Sequence, residues 1–336
     1  MKRPLIAILA AAILCGPLAA SVQADEVRSR MIRFGYGLNE NSNQGRAVKL
    51  FAEEVAKASD GKLKVRTFGS ASLGSDDQMQ SALIGGAQEM MVGSTATLVG
   101  ITKEMAVWDT PFLFSSAEQA DAVLDGPVGS QVMDKLAERG LVGLVYWENG
   151  FRNLTNNARP INTLEDFSGV KLRVMPNPVF LETFKLMGAN AVPLPFSELF
   201  TALETKAVDG QENPFNTILT SRFYEVQKYL SVTNHAYSPW IVTVSKRWWD
   251  QLSKAEQGIL LAAARTARDF ERQDTRDEAA RALAELQEKG MQVNQIDAAE
   301  VQRMREQAAP AVRKVIDTVG SGLFEQVQQE AAKAAS

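Results

Sequence analysis

Along this chain the apolar residues keep two spacings, every second residue over short runs and every third or fourth over longer ones, and Gly, Ser and Asp mark the changes. Ile32 to Leu38 reads as a first strand. Asn41 or Ser42 then caps a helix that holds Ala47, Leu50, Phe51, Val55 and Ala58 on one face, and Asp60-Gly61 ends it. Leu63 to Phe68 alternates as a second strand. Ser75-Asp76-Asp77-Gln78 has the spacing of a capping box, in which hydroxyl and carboxamide satisfy each other's backbone N–H groups; the helix it opens stops at Gly85-Gly86. A short strand around Met90 to Val92 follows. This strand-helix-strand-helix order, with crossovers one helix long, predicts a mostly parallel sheet covered on both faces.

The pattern continues with an apolar, aromatic stretch, Ala106 to Phe114, read as core with a cleft lining as the alternative. Ser116 to Arg139 is helical and ends at Gly140. Val142 to Trp147 forms a strand that leads into Glu148-Asn149-Gly150-Phe151-Arg152, and polar residues at such a strand exit are where open α/β sheets place ligand groups. A second α/β unit starts at Lys171 to Val174, where Val170, Leu172 and Val174 share one face and Lys171 and Arg173 the other. Helices over Pro178 to Met187, Ser197 to Lys206 and Arg222 to Lys228 follow, with short strands at Val192 and near Leu230.

Trp240 to Val244 is another strand. Ser253-Lys254-Ala255-Glu256 repeats the capping-box spacing ahead of a helical pattern that ends only at Gly290. At 1.5 Å per residue that helix is on the order of 50 Å long, enough to span two domains. Its middle, Arg265 to Arg281, carries both charge signs and reads as a solvated face with i,i+4 ion pairs. Met291 to Ile296 is a last strand. Asp297 to Glu300 then caps a final helical region interrupted near Pro310 and Gly320 to Gly322, and the Ala-rich tail after Gln329 is expected to fray.

Length and composition suit two domains with separate cores: 336 residues, 45% hydrophobic and 23% charged. The N-terminus changes the picture further. Lys2 and Arg3 precede an apolar run from Leu5 to Leu14, and Val22-Gln23-Ala24 offers small residues at a cleavage point, so residues 1–24 read as a secretory signal peptide. The run is shorter than the roughly 20 residues that span a bilayer. Ala12-Ile13-Leu14 before Cys15 is not a lipidation pattern. Cleavage removes Lys2, Arg3 and Cys15, leaving 34 basic against 40 acidic residues, a net charge of -6 and no thiol. That suits an oxidising, exported compartment, and the mild acidity argues against nucleic acid as a partner. With only Cys15 and His235 of their kinds, a metal cluster or a Cys-His pair is excluded, and no cofactor is expected.

Candidate chemistry sits at element ends. Arg152 and Arg173 each stand at the end of an apolar strand, where a guanidinium can clasp a carboxylate through two parallel hydrogen bonds; surface salt bridging is the alternative. The carboxamides of Gln211 and Asn213 suit hydroxyl or carboxylate oxygens, although Asp209-Gly210 beside them is also a strong turn signal. No Gly-x-Ser-x-Gly elbow, phosphate loop or dinucleotide fingerprint is present. Asp209 and Glu212 offer the one carboxylate pair for an exported hydrolase, and three residues within a turn give no reason for them to face each other across a bond.

The phrases VYWENGFRNLTN, GVKLRV, GANAVPLPFSELFTALETKAVDGQENP and FYEVQKYLSVTNHAYSP, in this order, resemble the solute-binding proteins of tripartite ATP-independent periplasmic (TRAP) transporters, the DctP-type family. The similarity covers essentially the whole mature chain. It implies a two-domain α/β receptor of the periplasmic binding protein type, with a ligand cleft between the domains and a long domain-spanning helix. Residues 25–150 plus 239–278 would form the first domain, and 151–238 plus 279–336 the second. The resemblance further implies a monomer that catalyses nothing, closes over a small-molecule carboxylate, and hands it to the small and large membrane subunits of the permease. Arg173 of the KLRV phrase would pair with the ligand carboxylate and Arg152 of NGFR would add a second contact. Phe196 would pack on the ligand and Asn213 would bond its carboxylate region. Asn39, Asp76, Ser94 and Thr97 are the first-domain candidates by position. Gly93 to Thr97 offers hydroxyls where sialic acid receptors carry charge, and WENGFRNLTN looks more like the branch that takes sugar acids. A uronate or aldonate is therefore expected, with a C4-dicarboxylate as the alternative.

Overall fold

Nine strands build one mixed sheet in the structure, a computed structural model that describes residues 26–334; the expected leader over residues 1–24 lies outside the described residues. In chain order the strands are β1 (Arg30–Tyr36), β2 (Leu63–Phe68), β3 (Met90–Ser94), β4 (Leu141–Asn156), β5 (Lys171–Val174), β6 (Asn190–Pro193), β7 (Gly210–Asn213), β8 (Tyr229–Ser245) and β9 (Gln292–Gln295). They lie in the order β2-β1-β3-β8-β4-β7-β5-β6, with β9 beside β8. β1, β2 and β3 run parallel, as the crossover pattern requires, and so do β5, β6 and β7. Between these groups β4 and β8 pair antiparallel over almost their whole length and join the two domains.

That antiparallel spine differs from the expected pattern of short strands. Val142 to Trp147 continues through to Asn156, and the segments near Leu230 and at Trp240 to Val244 are one 17-residue strand. The alternation that marks a strand is broken here by register shifts at Gly143/Val145, Glu148/Gly150 and Arg152/Leu154. The polar residues that read as a strand exit are buried within the strand and bonded to its neighbours. Gly210 to Asn213 is likewise a strand rather than a turn. Gly210 packs so closely on β4 that a Cβ there would stand 2.2 Å from the Thr155 carbonyl oxygen.

Helices cover both faces. In the first domain Asn43–Ala58 and the start of Lys254–Glu288 bury Phe51, Val55, Leu260 and Ala264 against Phe34 and Val92, while Met79, Leu83, Trp108 and Leu124 pack with Tyr146 in a second cluster. Ala106 to Phe114 belongs mainly to the core, with Trp108 wholly buried. In the second domain Leu154, Phe167, Leu172 and Phe184 form one cluster and Leu199, Leu203, Ile218 and Leu230 another.

Helix limits mostly follow the caps. Ser75 with Gln78 and Ser253 with Glu256 form both halves of their capping boxes. The expected helix over Ser116 to Arg139 breaks at Gly126-Pro127 into Ala117–Leu124, Pro127–Asp134 and a 3-10 turn, because the proline cannot continue the first helix. Arg222 to Lys228 holds only a 3-10 turn, Phe223–Glu225, behind Arg222 at φ 58°, and the helix stands instead at Phe215–Thr220. The tail stays helical through Ala334, and Gln119 donates to the Ala331 carbonyl at 2.7 Å. The middle of the 35-residue helix is also more than a solvated face. Glu271 and Arg272 are buried, and Arg272 and Arg276 pair with Asp121, Asp125 and Glu148 of other elements.

Candidate functional site

At the junction of the two domains lies a cleft with about 680 Å³ of empty space, its mouth included. Arg173 reaches it from β5, which is held between β6 and β7 so that its side chain has one direction to take. The residue is 1% exposed. Its Nε donates to the Leu194 carbonyl at 2.8 Å, while Nη1 and Nη2 are buried and have no partner within the protein. Burial, the largest influence, pushes this guanidinium down to about 10, against the opposing pull of Glu212 and Asp76. An arginine does not give up its proton in such a setting, so the site holds a buried cation with two parallel N–H donors unused. Such a group favours a carboxylate above any neutral ligand.

Arg152 lines the same cleft but is differently occupied. Glu212 of β7 takes its Nε at 2.5 Å and its Nη2 at 2.9 Å; the Glu212 carbonyl and Asn213 Oδ1 accept from Nη2 as well, leaving only Nη1 without a partner. His235 Nε2 also lies 3.0 Å from Glu212, and Thr233 lies 2.7 Å from Nδ1. Burial alone would raise the Glu212 pKa, but the charge of Arg152 and the bond from His235 outweigh it and hold the carboxyl well below the usual range. Burial keeps His235 itself neutral-leaning, its pKa lowered. Glu212 is therefore a structural counter-ion, and Asp209 is turned elsewhere, accepting from the Lys171 amide at 2.8 Å. The two form no pair for hydrolysis.

Asn213 also lines the cleft, with its amide nitrogen on Gln211 Oε1 at 2.5 Å. Gln211 donates onward to Thr155 and so acts as support behind the wall. Phe196 is half-buried at the start of a 3-10 turn, its ring 6.1 Å from that of Phe223. From the first domain come Asp76, Ser94 and Thr97. Ser94 N donates to Asp76 Oδ2 at 3.1 Å, and burial pushes the Asp76 carboxyl up to about 6 against that bond. Asn39 does not line the cleft. Its amide donates to the Thr220 carbonyl at 2.9 Å, tying the end of β1 to the end of the helix Phe215–Thr220.

Seven of the eight sequence-derived residues thus meet in one cavity. Residues not singled out from the sequence also line it, among them Gln44, Asn149, Thr217 and Trp240. Asn149 stood in plain view within the WENGFR phrase. Gln44 and Thr217 enter from helix starts that carry no ligand signal of their own, and Trp240 read as an ordinary strand residue.

Two α/β domains with an unpaired buried arginine in the cleft between them define a ligand receptor of the periplasmic binding type. The chain belongs to family 7 of the bacterial extracellular solute-binding proteins, the DctP family, whose model matches residues 34–318. Members of this family are receptors of TRAP transporters rather than enzymes. Among solved structures the chain is similar to the sugar acid binding protein DctPAm from Advenella mimigardefordensis strain DPN7T in complex with galactonate, at 48% identity and a TM-score of 0.90, covering 92% of this chain and 100% of that one. It is 35% identical over 274 residues to the 2,3-diketo-L-gulonate-binding periplasmic protein YiaO of Escherichia coli (strain K12), 82% of this chain and 84% of the relative. It is 33% identical over 240 residues to the C4-dicarboxylate-binding protein DctB of Bacillus subtilis (strain 168), 71% of this chain and 69% of the relative. The family works outside the cytoplasm and serves a membrane permease, and among the described residues no helix is long and apolar enough to cross a membrane.

Proposed function

We propose that this chain is the periplasmic receptor of a TRAP transporter for a sugar acid, a uronate or an aldonate. One observation carries the reading: Arg173, 1% exposed in the cleft, with both Nη groups unpartnered. A carboxylate accepts both N–H groups in parallel, and the free Nη1 of Arg152 lies ready for a further oxygen. Asn213 orients the carboxylate region and Phe196 packs on the carbon chain. Ser94 and Thr97 offer hydroxyls from the opposite wall. The galactonate complex at 48% identity and the diketogulonate-binding relative support a polyhydroxylated ligand, whereas the DctB relative favours a C4-dicarboxylate as the second reading.

The receptor acts as a monomer and delivers its ligand to the small and large membrane subunits. Its domain division, residues 25–150 plus 239–278 against 151–238 plus 279–336, is supported by the pairing of Gly150 with Ser238, which sets both strand crossings on one rung of the sheet. A leader over residues 1–24 takes the chain to the periplasm.

A thermal-shift panel of organic acids tests this function. A ligand at 100 times its dissociation constant stabilises the folded state by about 2.7 kcal/mol. D-Galactonate or D-galacturonate is expected to raise the melting temperature without being consumed. A shift with succinate alone would favour the dicarboxylate reading, and no shift with any small acid would contradict the receptor role.

A further inference from the structure

Behind the cleft a single buried carboxamide joins the two walls. Asn177 follows the strand of Arg173 and stands at the start of the helix Pro178–Leu186. Its Oδ1 accepts from the amides of Val179 at 2.8 Å and Phe180 at 3.1 Å, which caps that helix. Its Nδ2 donates to the Ala96 carbonyl and to Asp109 Oδ2, each at 2.8 Å. A carboxamide offers two donors and two acceptor positions, so every bonding position of this side chain is taken. The cap needs only the oxygen, and a serine hydroxyl would supply it as well. The two donors do something else.

Both donors reach across to the first domain. Ala96 lies in the 3-10 turn Thr95–Leu98, which carries Thr97 and follows Ser94, and Asp109 closes the turn Lys103–Asp109. The seam around the carboxamide is apolar: Ala96 and Phe112 pack in one cluster with Val174 and Phe180 of the second domain. Phe112 holds φ 56°, a left-handed backbone that a bulky residue keeps only where its surroundings fix it, and its amide donates to the His235 carbonyl at 2.9 Å. Burial, the largest influence, pushes the Asp109 carboxyl up to about 8; Glu212 adds to this, while the Asn177 bond and the charge of Arg152 oppose it. At neutral pH Asp109 therefore serves Asn177 mainly as an uncharged acceptor.

Resting on the receptor reading, we infer that Asn177 is a positioning residue for binding: held by Asp109 and the Ala96 carbonyl, it sets the distance at which the hydroxyls of Ser94 and Thr97 face the fork of Arg173. Neither Asn177 nor Asp109 lines the cleft, and both act through the walls they join. A ligand that spans the cleft then finds both walls already in register, which lowers the ordering cost of binding.

Titration calorimetry at pH 7 tests this, with D-galactonate or the acid of the thermal-shift panel that stabilises the wild type most. The variants are Asp109→Leu, Asp109→Asn and Asn177→Ser, each first shown to be folded by urea unfolding. Leucine cannot accept a hydrogen bond, asparagine keeps an accepting oxygen, and serine keeps the helix cap while losing both donors. Asp109→Leu and Asn177→Ser are expected to weaken binding about tenfold or more, and Asp109→Asn to stay within about threefold of the wild type. A purely structural role predicts wild-type affinity in every variant that folds, and that result overturns the inference. An equal loss in Asp109→Asn and Asp109→Leu overturns it too. Should Asp109→Leu fail to fold, Asn177→Ser decides. In each of these cases the receptor reading stands, whereas a wild-type protein that binds no organic acid overturns both.

Discussion

At the scale of single residues the site is defined by two buried arginines with opposite accounts. Arg152 is paired with Glu212 through Nε and Nη2, with only Nη1 free, and breaking such a pair leaves an uncompensated charge in the interior. Glu212→Gln is expected to destabilise the fold by about 3–5 kcal/mol, measured by urea unfolding. Arg173 has no such partner, so its charge is an uncompensated cost in the ligand-free protein, which on the proposed reading a ligand carboxylate offsets. Arg173→Met should leave the unfolding free energy unchanged or raise it, while ligand binding is lost. A large loss of stability on Arg173→Met, or none on Glu212→Gln, would show the roles to be reversed. This distinction was not legible in the sequence, where both arginines read as strand-end cations of equal standing. Only their partners separate them, and Glu212 lies 60 residues from Arg152 along the chain.

At the scale of elements, the caps and periodic faces revealed most helices, whereas the long strands stayed hidden. The reason is physical. β4 and β8 bury polar side chains such as Arg152, Asn153, Thr155 and His235 because neighbouring strands supply their hydrogen bonds, so the alternation expected of a half-exposed strand never appears. The 35-residue helix shows the same effect in Glu271. Its Oε2 accepts from the Glu148 amide at 2.8 Å and its Oε1 from the Thr275 hydroxyl at 2.7 Å, with Arg272 and the Glu148 side chain as its charged surroundings. Burial pushes this carboxyl up to about 8. An unfolded glutamate has a pKa of about 4.3. The folded value is the higher one, so the contribution to stability is complete below about pH 4.3 and is lost as pH rises toward 8. Glu271→Gln keeps an acceptor for the Glu148 amide and removes the titrating proton, and should flatten the fall in melting temperature between pH 5 and 8. An identical pH profile in the variant would contradict a protonated Glu271.

At the scale of the whole molecule, the site exists because two domains share one sheet and face each other across it. Arg173, Arg152 and Asn213 stand on strands of one side, and Asp76, Ser94 and Thr97 at the element ends of the other. Contacts outside the cleft also join the sides: Asn39 to the Thr220 carbonyl, and Asn177 to the Ala96 carbonyl and to Asp109, each of the last two at 2.8 Å. A ligand that touches both walls favours the closed arrangement, because only differential contact shifts such a balance. Asn39 was expected in the site from its position in the sequence; it does not line the cleft, and its amide bonds to the Thr220 carbonyl instead. The central claim is that the unpartnered fork of Arg173 reads a sugar acid's carboxylate. It is tested most directly by titration calorimetry of the wild-type protein and Arg173→Lys with D-galactonate. Lysine keeps the charge and loses the fork, and hydrogen bonds to charged groups contribute about 1.5–3 kcal/mol, so the affinity should fall roughly tenfold to a hundredfold; equal affinity in the two proteins would contradict the account.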